Sequence, residues 1–289
     1  MQVHSFLHSD TETYTHVLAD IQQQVCAIID PVLDFDAKSG RTSTTSIDEV
    51  IKFVREQDWT LVYIIETHAH ADHLSAAIHV KEGLGGQLVI GQHITDVQKI
   101  FKQIFNFDTN FRTDASQFDI LTDEGDTLML GDIVITVMYV PGHTRADMAY
   151  MAADEEKTVV FVGDTIFAPD VGTARCDFPG GDAKTLYQSI QKLLALPEDT
   201  IMYLCHDYPS KGRKHCPTTT VSAQKLGNIH VKDGINEAEF VQMRERRDAT
   251  LEMPRLMIPA VQVNIDAGHL PKPEDNGVCY LKVPINVLG

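Results

Sequence analysis

Three histidines and an aspartate fall within six residues, at His68, His70, Asp72 and His73. Imidazole and carboxylate are the ligands that zinc, iron and manganese take, and a short loop can aim several of them at one point. The apolar run LVYII at 61–65 has strand length and β-branched content, and it delivers the chain into that loop. Asp72 also stands where it could N-cap a helix suggested by Leu74, Ala77 and Ile78 and ending at Gly83.

Three later strand-like runs end the same way. Residues 133–140 lead into Pro141-Gly142-His143, 158–162 into Gly163-Asp164-Thr165, and 201–205 into His206-Asp207-Tyr208. Each of these alone has an ordinary explanation as a turn or strand-end residue. Together with the first loop they set every candidate ligand at the carboxyl end of a strand, which is where open α/β sheets hold their ligands.

The elements that must position them follow from periodicity. Strands are expected over 15–19 and 24–29, broken at Asp30-Pro31. Ser46 and Glu49 have capping-box spacing before a helix carrying Ile47, Val50, Ile51 and Val54. A strand over 87–90 and an amphipathic helix with Val97, Ile100, Phe101 and Ile104 come next. From Phe118 the strands crowd together, over 127–130, 133–140, 148–152 and 158–162. A helix with Leu186, Ile190, Leu193 and Leu194 then precedes the strand at 201–205. Asn236 and Glu239 predict an N-capped helix to about Leu251. Beyond Met253, five prolines among apolar residues predict an irregular segment draped over the body or a partner subunit.

The chain has 289 residues, 43% of them hydrophobic, enough for a sizeable core and for an enzyme. A net charge of -17 argues against a nucleic-acid partner, because phosphate backbones are bound by Lys and Arg. Five cysteines without a C-x-x-C pair do not make a disulfide framework and suit a reducing compartment. The opening residues lack a signal-peptide pattern, and no run reaches membrane-span length. A cytoplasmic protein is expected.

His68-Ala69-His70-Ala71-Asp72-His73, Pro141-Gly142-His143-Thr144, Gly163-Asp164-Thr165 and Cys205-His206-Asp207 resemble the successive motifs of the metallo-β-lactamase superfamily. The resemblance implies an α/β fold, a four-layer αβ/βα sandwich with a metal site along one edge. It would make 1–216 the catalytic domain and 217–289 a C-terminal helix and Pro-rich extension packed on it. Two ligand arrangements remain open. In one, His68, His70 and His143 hold a first metal, Asp72, His73 and His206 a second, and Asp164 bridges them; two such ions hydrolyse by generating hydroxide. In the other, two histidines and one carboxylate hold a single iron with positions left for oxygen and substrate.

Closer resemblance favours the second. THAHADH at 67–73, ARCDF at 174–178, GGD at 180–182 and HDYPS at 206–210 are similar to the persulfide dioxygenase branch, a relative of glyoxalase II. The resemblance then implies one Fe(II) on His68, His143 and Asp164. His70, Asp72, His73 and His206 would surround it as holding and proton-handling groups, and Tyr208, next to the last of them, would either bond a bound sulfur or oxygen ligand or pack with its hydroxyl satisfied. It also implies glutathione persulfide and O2 as substrates, sulfite and glutathione as products, and a homodimer as plausible. Arg175 could fork onto a substrate carboxylate, with Lys211 and Arg213 as further candidates. Cys176 stands beside Arg175, where it would either meet persulfide or pack as a small buried residue. The alternative is a glyoxalase II-type thioester hydrolase with two Zn2+ per chain.

Overall fold

The computed structural model describes residues 1–210 and 212–288. Strands β1 (Gln2–His8), β2 (Thr13–Asp20) and β3 (Val25–Ile29) form an antiparallel meander. A side hairpin follows, β4 (Val32–Asp36) with β5 (Arg41–Ser43), and helix α1 (Thr45–Glu56) returns the chain to β6 (Thr60–Ile65), parallel to β3. After β7 (Leu74–Ser75), which pairs with β4, α2 (Ala77–Leu84) and α3 (Ile94–Ile104) alternate with two more parallel strands, β8 (Gln87–Gly91) and β9 (Ile120–Thr122). The first sheet therefore runs β1-β2-β3-β6-β8-β9.

The second sheet keeps chain order: β10 (Thr127–Leu130), β11 (Ile133–Tyr139), β12 (Met148–Ala153), β13 (Thr158–Phe161), β14 (Ile201–Tyr203) and β15 (Thr218–Thr220). Only β13 and β14 in it are parallel, and α4 (Ala183–Leu194) makes the crossover between them. Helices α5 (Val221–Gly227), α6 (Glu237–Asp248) and α7 (Met257–Asn264) complete the chain.

Strand alternation produces the layers. In β3, Ala27 and Ile29 face the second sheet, while Cys26 and Ile28 face α1, α2, α3 and α7. In the second sheet, Val159 and Phe161 join the inter-sheet core, and Val160 and Val162 pack with α4 and α6 on the other face. Both faces of each sheet are thus covered, giving the expected four-layer αβ/βα sandwich. Among the described residues no helix is long and apolar enough to cross a membrane.

Local expectations changed at three places. Ser46 makes no capping box: its hydroxyl donates to Asp34 at 2.5 Å, so that side chain is taken by the neighbouring strand. Asp72 caps no helix, because Leu74 and Ser75 are extended and α2 starts at Ala77, whose N–H is received by Ser75 Oγ at 3.0 Å. The Pro-rich segment contains a true helix, α7, since Pro259 lies in its first turn where a missing N–H costs nothing. By contrast, Asn236 and Glu239 do form the capping box that opens α6.

Candidate metal centre

The loop after β6 is irregular from Glu66 to His73, yet it is buried, and it is held from below by Asp30 at the end of β3. One Asp30 carboxylate accepts Thr67 N at 2.8 Å, Thr67 Oγ1 at 3.0 and 3.1 Å, and His70 Nε2 at 2.9 Å. Because Thr67 spends its only hydroxyl proton on Asp30, its oxygen can only accept from His68 Nδ1, 3.1 Å away. That tautomer leaves a lone pair on His68 Nε2. Gly163 closes over the same point at φ +52, where a Cβ would stand 2.9 Å from Thr67 Oγ1.

His143 is fixed in the same sense from the other sheet. Its Nδ1 donates to the Arg175 carbonyl at 2.7 Å, which turns Nε2 toward the centre, 3.6 Å from Asp164 Oδ2. The preceding Gly142 sits at φ +138, with any Cβ 2.3 Å from the Leu186 backbone, so only glycine lets α4 pack this close behind the histidine. His68 Nε2 lies 3.9 Å from the same Asp164 oxygen. The other oxygen, Oδ1, faces His206 Nε2 at 3.2 Å, and His206 Nε2 is 2.9 Å from Asp72.

These contacts lack hydrogen-bond alignment. The Nε2 atoms of His68, His73 and His206 and Oδ1 of Asp164 are buried without a partner. Burial pushes His68 well below its ordinary value and His73 down to about 3, so both present lone pairs. Burial alone would raise Asp164, but the facing imidazoles of His206, His68 and His143 hold it well below the usual carboxylate range. Lone pairs and an acceptor-only carboxylate converging in a buried place are the donor set a cation needs. Ligand atoms of His68, His143 and Asp164 lie within 4.8 Å of one another, and so do those of Asp72, Asp164 and His206. A third group joins His70 and His73 with Cys205 and His206.

A cavity of about 260 Å³ opens on the centre, with Asp72, His143, Asp164 and Tyr208 on its metal side. Phe167, Phe178, Leu251 and Pro254 supply apolar walls. Tyr208 stacks on His206 with ring centroids 5.6 Å apart and planes 8° from parallel. The basic residues divide differently from expectation. Arg175 lines the cavity, but its guanidinium is already forked on Asp177 at 2.7 Å and donates to Glu252 O at 2.6 Å. Arg213 is spent on Asp207 and Asp170, which places it as a brace behind His206. Lys211 lies outside the described residues.

Sequence reasoning missed Asp30, Glu66, Arg244, Arg247 and Asn264. Buried Arg244 pairs with Asp248, whose other oxygen accepts Cys176 N at 3.0 Å and so steadies the segment that carries the Arg175 carbonyl. Cys176 is itself buried, and burial followed by the Asp248 charge raises its thiol, so it is held as an unreactive thiol.

Residues 17–206 match the Metallo-beta-lactamase superfamily. A probable metallo-hydrolase of Burkholderia pseudomallei is 50% identical, with 100% of each chain covered. Glyoxylase B2 of Dictyostelium discoideum is 44% identical over 99% of this chain and 98% of its own. The mitochondrial persulfide dioxygenase ETHE1 of Mus musculus is 27% identical over 89% of this chain and 84% of its own. Among solved structures, ETHE1 from Myxococcus xanthus superposes with a TM-score of 0.73 and 30% identity, covering 93% of this chain and 100% of that one. The buried ligand set at the sheet edge, the four layers and the match over most of the two-sheet body agree, and the chain belongs to the metallo-beta-lactamase superfamily.

Proposed function

We propose that the protein is a persulfide dioxygenase that oxidises glutathione persulfide with O2 to sulfite and glutathione, using one Fe(II) per chain. The observation that carries this reading is the His68–His143–Asp164 group: two imidazoles and one carboxylate gathered at one point, with His143 and Asp164 lining a cavity, two-His-one-carboxylate chemistry with an open side. The ETHE1 relatives support it. Fe(II) bound there supplies the redox chemistry with oxygen that d¹⁰ zinc lacks. In the balance, the terminal sulfur loses four electrons and dioxygen gains them. Water contributes the third oxygen of sulfite, and the thiol leaves as glutathione with release of two protons. The chain's own groups orient and desolvate the substrate. Asp72 and His206, 2.9 Å apart beside Asp164, are placed to hold protons during release.

One observation favours a second reading. Asp164 turns one oxygen toward His68 and His143 and the other toward His206, as a carboxylate bridging two zinc ions of a thioester hydrolase would. Metal analysis of protein purified without oxygen, combined with oxygen uptake on adding glutathione persulfide, separates the two. Near one iron per chain with uptake is expected. Two zinc ions per chain, no uptake and hydrolysis of S-lactoylglutathione would overturn the dioxygenase.

Among the described residues, Arg247 is the cation on the cavity left for an anionic substrate. Arg175 and Arg244 are committed to Asp177 and Asp248, whereas the Arg247 side chain makes no hydrogen bond or ion pair among the described residues. Losing a charge-assisted bond of about 1.5 kcal/mol or more predicts that Arg247→Ala raises KM for glutathione persulfide about tenfold. Steady-state oxygen uptake should show kcat little changed, since the contact serves ground state and transition state alike.

A further inference from the structure

We propose that Asn264, in the last turn of α7 and outside the segment that matches the superfamily, is a positioning residue for the metal centre. Its side chain makes three hydrogen bonds to the candidate ligand loop and the strand that follows it. Nδ2 donates one hydrogen to the His70 carbonyl at 2.8 Å and the other to the His73 carbonyl at 2.7 Å, while Oδ1 accepts Ser75 N at 2.8 Å. The loop has no regular secondary structure between β6 and β7, so its buried carbonyls depend on such a partner. Ser75 extends the contact, since its hydroxyl donates to Glu66 and Glu66 Oε2 lies 3.4 Å from His70 Nε2. One amide thus pins both ends of the His70–His73 segment, and with them the directions in which His70, Asp72 and His73 leave the backbone. α7 is itself anchored, with Ala260, Val261 and Val263 buried in the core outside the first sheet. The C-terminal extension therefore works as part of the metal site. The inference rests on the loop carrying a metal and holds for either one ion or two.

The test uses full-length Asn264→Ala, Asn264→Asp and Asn264→Ser, with Val54→Ala as a control that loosens the same core from α1 without touching α7 or the loop. Groups that orient metal ligands are worth about 10- to 100-fold in affinity. Cobalt(II) affinity against a competing chelator should fall at least tenfold in the Ala and Asp variants, and less in Ser, which keeps one donor. The cobalt absorption bands should shift as the ligand geometry relaxes. Val54→Ala should lower the melting temperature and leave cobalt affinity and spectrum unchanged. Wild-type affinity and spectrum in the Ala and Asp variants, or the same loss in Val54→Ala, would overturn the proposal. Because the readout is cobalt binding, it is independent of which reaction the enzyme catalyses.

Discussion

Asp164→Asn is expected to strip the protein of metal and to take turnover with it. The carboxylate is the one group shared by both constellations, with Oδ2 3.6 Å from His143 Nε2 and 3.9 Å from His68 Nε2, and Oδ1 3.2 Å from His206 Nε2. An amide of the same shape offers one oxygen instead of two and no negative charge. Its NH2 would also point donors where a cation should sit. Groups that merely orient ligands already cost up to about 100-fold in affinity, so a ligand common to both arrangements should cost more. Turnover should fall on the order of 10³-fold or beyond, the scale seen when charge stabilisation at a reacting centre is removed. Metal content after dialysis, with oxygen uptake in the same samples, checks it. A variant retaining wild-type metal would remove Asp164 from the centre.

The centre was legible because its chemistry sits at strand ends, and strand ends can be read from local pattern alone. His68, His143, Asp164 and His206 are scattered over the sequence, yet each follows an apolar run, and β6 of the first sheet with β11, β13 and β14 of the second brings those ends together. The groups that hold them were not legible, for a physical reason. Arg244, Asp248 and Asn264 lie on helices where polar residues normally face water, and only the packing of α6 and α7 onto the body buries them. Arg175 and Arg213 did carry a signal. Asp177 lies two residues from the first and Asp207 six from the second, near enough in sequence to claim each guanidinium before a substrate can. Short strands such as β5 and β7 have no pattern long enough to register.

Asp30 shows how much of the fold's stability is tied up in that holding layer. Asp30→Asn is expected to lower the melting temperature of the metal-free protein on the order of 10 °C. The carboxylate is 1% exposed and accepts from Thr67 and His70, so it neutralises a buried imidazolium. Removing one partner of such a pair costs about 3–5 kcal/mol, because the other charge is left in low dielectric. At about 2–4 °C per kcal/mol for a chain approaching this size, that sets the scale of the shift. The pH dependence gives a second check. Burial would raise Asp30, but the charge of His70 and the donated hydrogen bonds hold it down to about 2. Its contribution is therefore complete above the unfolded value of 3.8 and lost as pH falls through about 2. Burial would lower His70, yet Asp30, Cys205 and Glu66 raise it well above 6.5, so its share is complete below 6.5 and lost as pH rises through the elevated folded value. The Asp30–His70 contribution should then be complete from about pH 4 to pH 6.5 and be lost on either side, read by differential scanning calorimetry of the metal-free protein as the difference between wild type and Asp30→Asn. In the variant both flanks should flatten, since neither proton is exchanged against its partner any longer. An Asp30→Asn protein that melts with wild-type midpoint and wild-type pH profile would mean that His70 is neutral in the fold. The loop would then be held by Thr67 and Asn264 alone.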